Sequence, residues 1–165
     1  MPLETFIFRL ASALVAGIFI GAQREFRQHQ AGLTTNALVS VGACIFILIS
    51  ESVIMGSRLA GGPVNNDNLR VLSQVVTGIG FLGAGVIMKN GITIQGLTSA
   101  ATIWCSAAIG CLCGYGMWAE AGIATAAILA INWGLKGIEV YLKKRSRQQQ
   151  QRQADLPHEQ TGFEE

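Results

Sequence analysis

The stretch Gln74-Val75-Val76-Thr77-Gly78-Ile79-Gly80-Phe81-Leu82-Gly83-Ala84-Gly85 decides how the chain is to be read. Its segment from Gly78 to Gly83 spells the glycine pattern of a dinucleotide-binding turn. That pattern has meaning only after a β-strand and inside a water-soluble βαβ unit. Here it lies within a charge-free run, 71–88, long enough to cross the ~30 Å hydrocarbon core as a helix. The nucleotide reading is therefore rejected. The glycines are read instead as small residues that let helix backbones approach one another in lipid. Gly80, Ala84 and Met88 extend one such face, and Gly17 with Gly21 and Gly110 with Gly114 are direct GxxxG pairs.

Runs of the same kind recur on either side, near 5–22, 36–54, 99–118 and 121–142. Of 165 residues, 50% are hydrophobic and 13% charged, and that charge is about half the ~25% of a soluble domain. An all-α membrane protein of about five transmembrane helices follows, because a helix satisfies its own backbone hydrogen bonds in lipid. Arg24, Arg27, Lys89, Lys143, Lys144, Arg145 and Arg147 flank one side of these spans, and Arg9, Arg58 and Arg70 the other. The positive-inside rule then predicts the N-terminus out and the C-terminus in. Glu4, and the arginines directly after the first run, oppose a cleavable signal peptide. Residues 1–142 form one transmembrane domain, in which Lys136 is placed to pair with Glu139. Residues 143–165 form a basic, Gln-rich cytoplasmic tail expected to be disordered.

Gly32-Leu33-Thr34-Thr35-Asn36-Ala37 precedes the second run, and Gly96-Leu97-Thr98-Ser99-Ala100-Ala101 precedes the fourth. The match predicts a degenerate parallel repeat of two helical hairpins that turn in the same compartment. In each turn Thr or Ser is placed to cap the next helix. The two helix N-termini, if they converge, could hold an anion or a carboxylate such as Glu25.

Few polar groups remain inside the spans. Asp67 and Arg70 open the third as cap and interfacial anchor, while Gln74 with Thr77, Ser50 with Glu51, and Thr102 with Ser106 are candidates for interhelical hydrogen bonds. Glu51 is nearly alone as an interior acid, a shortage that argues against a cation pathway. Cys44, Cys105, Cys111 and Cys113 lie in apolar runs, where neither a disulfide framework nor a metal site is expected. With no nucleophile elbow, P-loop or partnered base, no enzyme and no cofactor are expected. The charge is concentrated in the tail, so nucleic acid is not an expected partner.

The motifs Gly21-Ala22-Gln23-Arg24-Glu25, Ala31-Gly32-Leu33-Thr34-Thr35-Asn36, the block 74–85, and Gly96-Leu97-Thr98 through Trp104 resemble those of the MgtC/SapB family, over roughly residues 17–116. The resemblance implies a multi-pass protein of the bacterial inner membrane. It further implies a link to magnesium limitation, acid stress or survival inside host cells, through binding of other membrane proteins such as the proton-translocating ATP synthase. A small magnesium, proton or anion transporter is the alternative. The expected partners are the bilayer, a second membrane protein, and further copies of the chain packed through its glycine faces.

The expected working surface comprises Arg24, Glu25, Gly32, Thr34, Thr35, Asn36, Gly96, Thr98 and Ser99 in the turns. In the membrane it comprises Glu51, Asp67, Arg70, Gln74, Thr77, Gly78, Gly80, Gly83, Gly85 and Trp104. Family members commonly have Glu in place of Gln23, Arg in place of Thr34 and His in place of Asn36. This chain is expected to put neutral hydrogen bonds where they hold an ion pair. Many also carry a soluble C-terminal domain; only the short tail stands here, and regulation through such a domain is not expected.

Overall fold

In the computed structural model, which describes residues 1–59 and 68–134, the apolar runs are helices. They are α1 Leu3–Glu25, α2 Leu33–Leu59, α3 Asn68–Val86, α4 Leu97–Gly114, and a fifth, α5, over 118–134. The first four are long and apolar enough to span a membrane. Asp67, the Lys136 and Glu139 pair, the end of the fifth span and the tail lie outside the described residues. The chain forms two units, Met1–Leu129 and Ala130–Glu165; the described part of the second, 130–134, is helical.

The first unit is centred on α1, α2 and α4. One core cluster joins Ala13 and Ile20 of α1 to Cys44 and Leu48 of α2, Ile109 and Cys113 of α4, and Ala121 of α5. A second joins Ala43 and Ile47 to Ala107 and Cys111, and α3 leans on it with Val71, Leu72, Val75 and Ile79. Small residues set these distances. A Cβ on Gly17 would stand 2.8 Å from the Ala37 Cα, one on Gly21 2.6 Å from the Leu33 Cα, and one on Gly114 2.8 Å from the Ile47 Cβ. On Gly110 it would strike the Ser40 carbonyl. Both GxxxG pairs therefore seat α1 and α4 directly on α2.

Two helix ends fall short of the sequence reading, while the other described ends run two to five residues beyond it. The fourth span was expected to run to residue 118, but α4 stops at Gly114 in a Schellman motif. Gly116 is left-handed at φ 76°, its N–H bonds the Cys113 carbonyl at 3.0 Å, and the Met117 N–H bonds Leu112 at 2.9 Å. The third span ends at Val86 rather than 88, because residues 88–95 form an antiparallel hairpin pairing Met88 with Gln95 and Asn90 with Thr93. Its two-residue turn has Gly91 at φ 62°, while Ile92 stays at negative φ, the glycine-first pattern of a II′ hairpin.

The glycines of α3 also need a different explanation from in-chain packing. Gly78, Gly80 and Gly85 have nothing within 4 Å of an added Cβ, and only Gly83 meets a neighbour, Ala100 of α4. Among the described residues α3 meets the bundle along Val71, Leu72, Val75, Ile79 and Gly83, and these three glycines lie off that side.

Candidate functional site

The connections 26–32 and 87–96 lie at the same end of the bundle. The backbone of Gly96, left-handed at φ 87°, is pressed between the Val86 carbonyl and the Gln30 side chain, which leaves no room for a Cβ. The repeat is visible in the backbone: the Asn36 N–H bonds the Gly32 carbonyl, and the Ala100 N–H bonds that of Gly96. These bonds occupy matched positions of the two sequence copies.

Arg24 lies between the two turns. Although it is a cation in the last turn of α1, it is only 3% exposed. Its Nε donates to the Ala31 carbonyl at 3.1 Å, Nη1 to the Thr102 hydroxyl at 3.0 Å, and Nη2 to the Ser99 hydroxyl at 2.6 Å. The guanidinium thus ties the end of α1, the first turn and the start of α4 with neutral oxygens. Thr102 in turn donates to the Thr98 carbonyl. The negative end of the α1 dipole adds favourable charge at Arg24.

Glu25 turns the opposite way. Its Oε2 accepts the Leu33 N–H at 3.0 Å, placing a carboxylate at the positive N-terminus of α2. The same oxygen lies where a Cβ on Gly32 would be, so a side chain there would push the Glu25 carboxylate off its cap. Capping by Thr or Ser, expected from the sequence, is not what is found. Glu25 caps the first helix, Thr34 is exposed, and the N-cap of α4 is Gly96, with no side-chain bond. Ser99 is bound by Arg24 instead.

Asn36 is fully buried and has partners for both ends of its amide. Nδ2 donates to the carbonyls of Ala31 at 3.2 Å and Gly32 at 2.7 Å, and Oδ1 accepts from Ser106 at 2.8 Å. Ser40 adds a bond to the Ala13 carbonyl at 2.8 Å. The three positions expected to depart from the family pattern point different ways. Asn36 faces α4, Gln23 donates to the Leu129 carbonyl of α5, and Thr34 faces outward.

At the other end, Glu51 of α2 pairs with Arg9 of α1, which also donates to the Gly114 carbonyl at 2.7 Å. The side chains are 17% exposed for Arg9 and 30% for Glu51, so the pair is partly shielded. Arg9 was read from the sequence as a flanking charge. Its place in helical register, five residues into an apolar run, was the available signal. Beside it, burial pushes the Tyr115 phenol above its ordinary value, with Cys111 and Glu51 adding to the shift.

The remaining expected residues are spread out. Thr35 is half-buried, Thr98 and Trp104 are exposed, and Arg70, Gln74, Thr77, Gly78, Gly80 and Gly85 lie along the exposed side of α3. Ser73 and Thr77 return their hydroxyls to the α3 backbone, to the carbonyls of Arg70 and Ser73. Between α2 and α3 runs an apolar groove of about 900 Å³, flanked by Leu38, Gly42 and Phe46 on one side and Gln74, Gly78 and Leu82 on the other. Among the described residues no group of His, Cys, Asp and Glu could hold a metal ion. The four cysteines are free thiols.

Closely packed helices of membrane length, tied by a buried arginine and flanked by an open apolar groove, define a multi-pass helical membrane protein. The MgtC family model matches residues 10–141, and the chain belongs to the MgtC family. It is 48% identical over 132 residues to Protein MgtC of Salmonella typhimurium, covering 80% of this chain and 53% of that protein. With Protein MgtC of Brucella abortus the identity is 48% over 123 residues, covering 74% and 48%. An uncharacterised Synechocystis protein is 41% identical over 138 residues, covering 82% and 54%. The chain spans about half the length of these curated relatives. No solved structure matches it. Family and spans together place it as a multi-pass protein of the bacterial inner membrane.

Proposed function

We propose that this protein adjusts ion or energy homeostasis by binding other membrane proteins, and that it works without catalysis or a cofactor. One observation carries the reading: the buried polar groups Arg24, Asn36, Ser40 and Ser106 hydrogen-bond to the protein itself, while α3 and its groove stand open to lipid. Groups engaged in this way hold helices together; an open helix face suits a partner helix. The Arg24 end, with both turns and Lys89, is the cytoplasmic one in this reading. Magnesium limitation, acid stress and growth inside host cells are the proposed settings, and a proton-translocating ATP synthase is a partner of suitable kind.

The test uses purified protein in liposomes together with affinity isolation from native membranes. The expected result is no saturable magnesium, proton or phosphate flux, and a specific membrane protein that co-purifies. Saturable flux abolished by Glu51→Gln would overturn the reading in favour of a transporter.

A further inference from the structure

We infer that the groove between α2 and α3 receives α3 of a second copy of this chain, in a parallel two-fold dimer closed by Gln74 against Gln74. The hydrogen bonding of α3 points to this. Ser73 and Thr77 satisfy their hydroxyls on their own helix. The Gln74 amide, exposed beside them, has no hydrogen-bond partner among the described residues. It stands six residues into the helix, roughly 9 Å from its start at 1.5 Å per residue, inside the 18-residue apolar window that begins at Leu69. A primary amide facing lipid is costly, and its donors and acceptor are drawn to a protein partner.

Three observations select the partner. An amide is its own complement: two glutamines side by side each donate to the other's carbonyl oxygen. A membrane holds both copies in one orientation, so a two-fold axis along its normal sets equivalent residues at equal depth and makes the contact isologous. Gln74, Gly78 and Gly85 fall on one stripe of α3, and nothing lies within 4 Å of a Cβ on either glycine, so two α3 backbones can approach closely along it. The groove of about 900 Å³ matches roughly two turns of a helix ~10 Å in diameter. The inference goes beyond binding of other membrane proteins and does not rest on it. The stripe of Thr77, Gly80 and Ala84 remains open on each copy for a different partner.

Gln74→Cys in the otherwise native chain, oxidised in native membranes, is expected to give a disulfide-linked species of twice the chain mass. The native chain, and Phe19→Cys on the exposed face of α1, should not. Because Gln74 is exposed, these variants keep the bundle core. Single-molecule subunit counting in liposomes should show dimers, and Gln74→Leu should raise the dissociation constant about sevenfold, since each of two reciprocal bonds contributes a factor of roughly 2.7. A monomeric native chain, no cross-link in the Gln74→Cys variant, or a cross-link of that variant only to a different protein would each overturn the inference. Co-purification of another membrane protein is unaffected by any of these outcomes, so the two proposals fail separately.

Discussion

α3 and α4 contain equally apolar membrane-length windows, 18 residues each with mean hydropathy 1.5. Yet 56% of the second is buried, whereas in the first only Gly83 is fully buried, with Val71, Leu72, Val75 and Ile79 half-buried against the core. Hydropathy therefore says that a segment enters the bilayer and nothing about how many protein neighbours it has there. The difference lies in which faces carry small and polar residues. Ser99, Thr102, Ser106, Gly110 and Gly114 of α4 recur at helical spacing, and each meets a specific partner on α1 or α2. The corresponding face of α3, with Gln74, Gly78 and Gly85, meets none among the described residues.

Substitutions at matched kinds of residue test this contrast, with stability followed by unfolding of the purified protein in mixed micelles. The largest effect is expected at Gly110. Gly110→Leu drives a side chain into the Ser40 backbone and should cost about 3 kcal/mol or prevent folding. An unchanged midpoint would mean that α4 does not sit on α2 as described. Arg24→Ala removes three hydrogen bonds from a charged group and is expected to cost about 2 kcal/mol. Labelling of Ser99→Cys should then rise as the start of α4 loosens, and equal labelling in both proteins would count against the clasp.

Glu51→Gln leaves Arg9 with the Gly114 carbonyl and without its counter-ion, in a pair that is only partly shielded. About 1 kcal/mol is expected, and adding Arg9→Met should recover part of it. Two losses that simply add would show the charges to be uncoupled. Ser106→Ala should cost roughly 0.6 kcal/mol, the average for an interhelical hydrogen bond in lipid. The smallest effect belongs to α3: Gly80→Leu should stay within about 0.5 kcal/mol of the native chain. A loss like that of Gly110→Leu would erase the contrast between the helices.

The membrane spans, the GxxxG pairs on α1 and α4 and the repeated turn were legible from residue type and spacing alone, because each is a local pattern with one physical reading in lipid. The end of α4 was misplaced where an apolar run continues through the left-handed Gly116, and that of α3 where the run continues into the first strand of the hairpin. Hydropathy does not register backbone handedness, although Gly116 carried the signal, and Asn90-Gly91 marked the hairpin turn. Glu25 was legible as a carboxylate near a helix N-terminus, since its charge and the direction of the α2 dipole follow from the sequence.

What the sequence determined by itself was that helices cross a membrane and which residues are too polar or too small to be there without a reason. Only the tertiary structure decided what those reasons are. Asn36 and Ser106 stand 70 positions apart, Arg24 and Ser99 75, and Arg9 and Glu51 42. No periodicity along one helix encodes which neighbour its polar face will meet. That choice is made by the packing of whole helices, where close approach at a few glycines brings distant hydrogen-bonding groups within reach of each other.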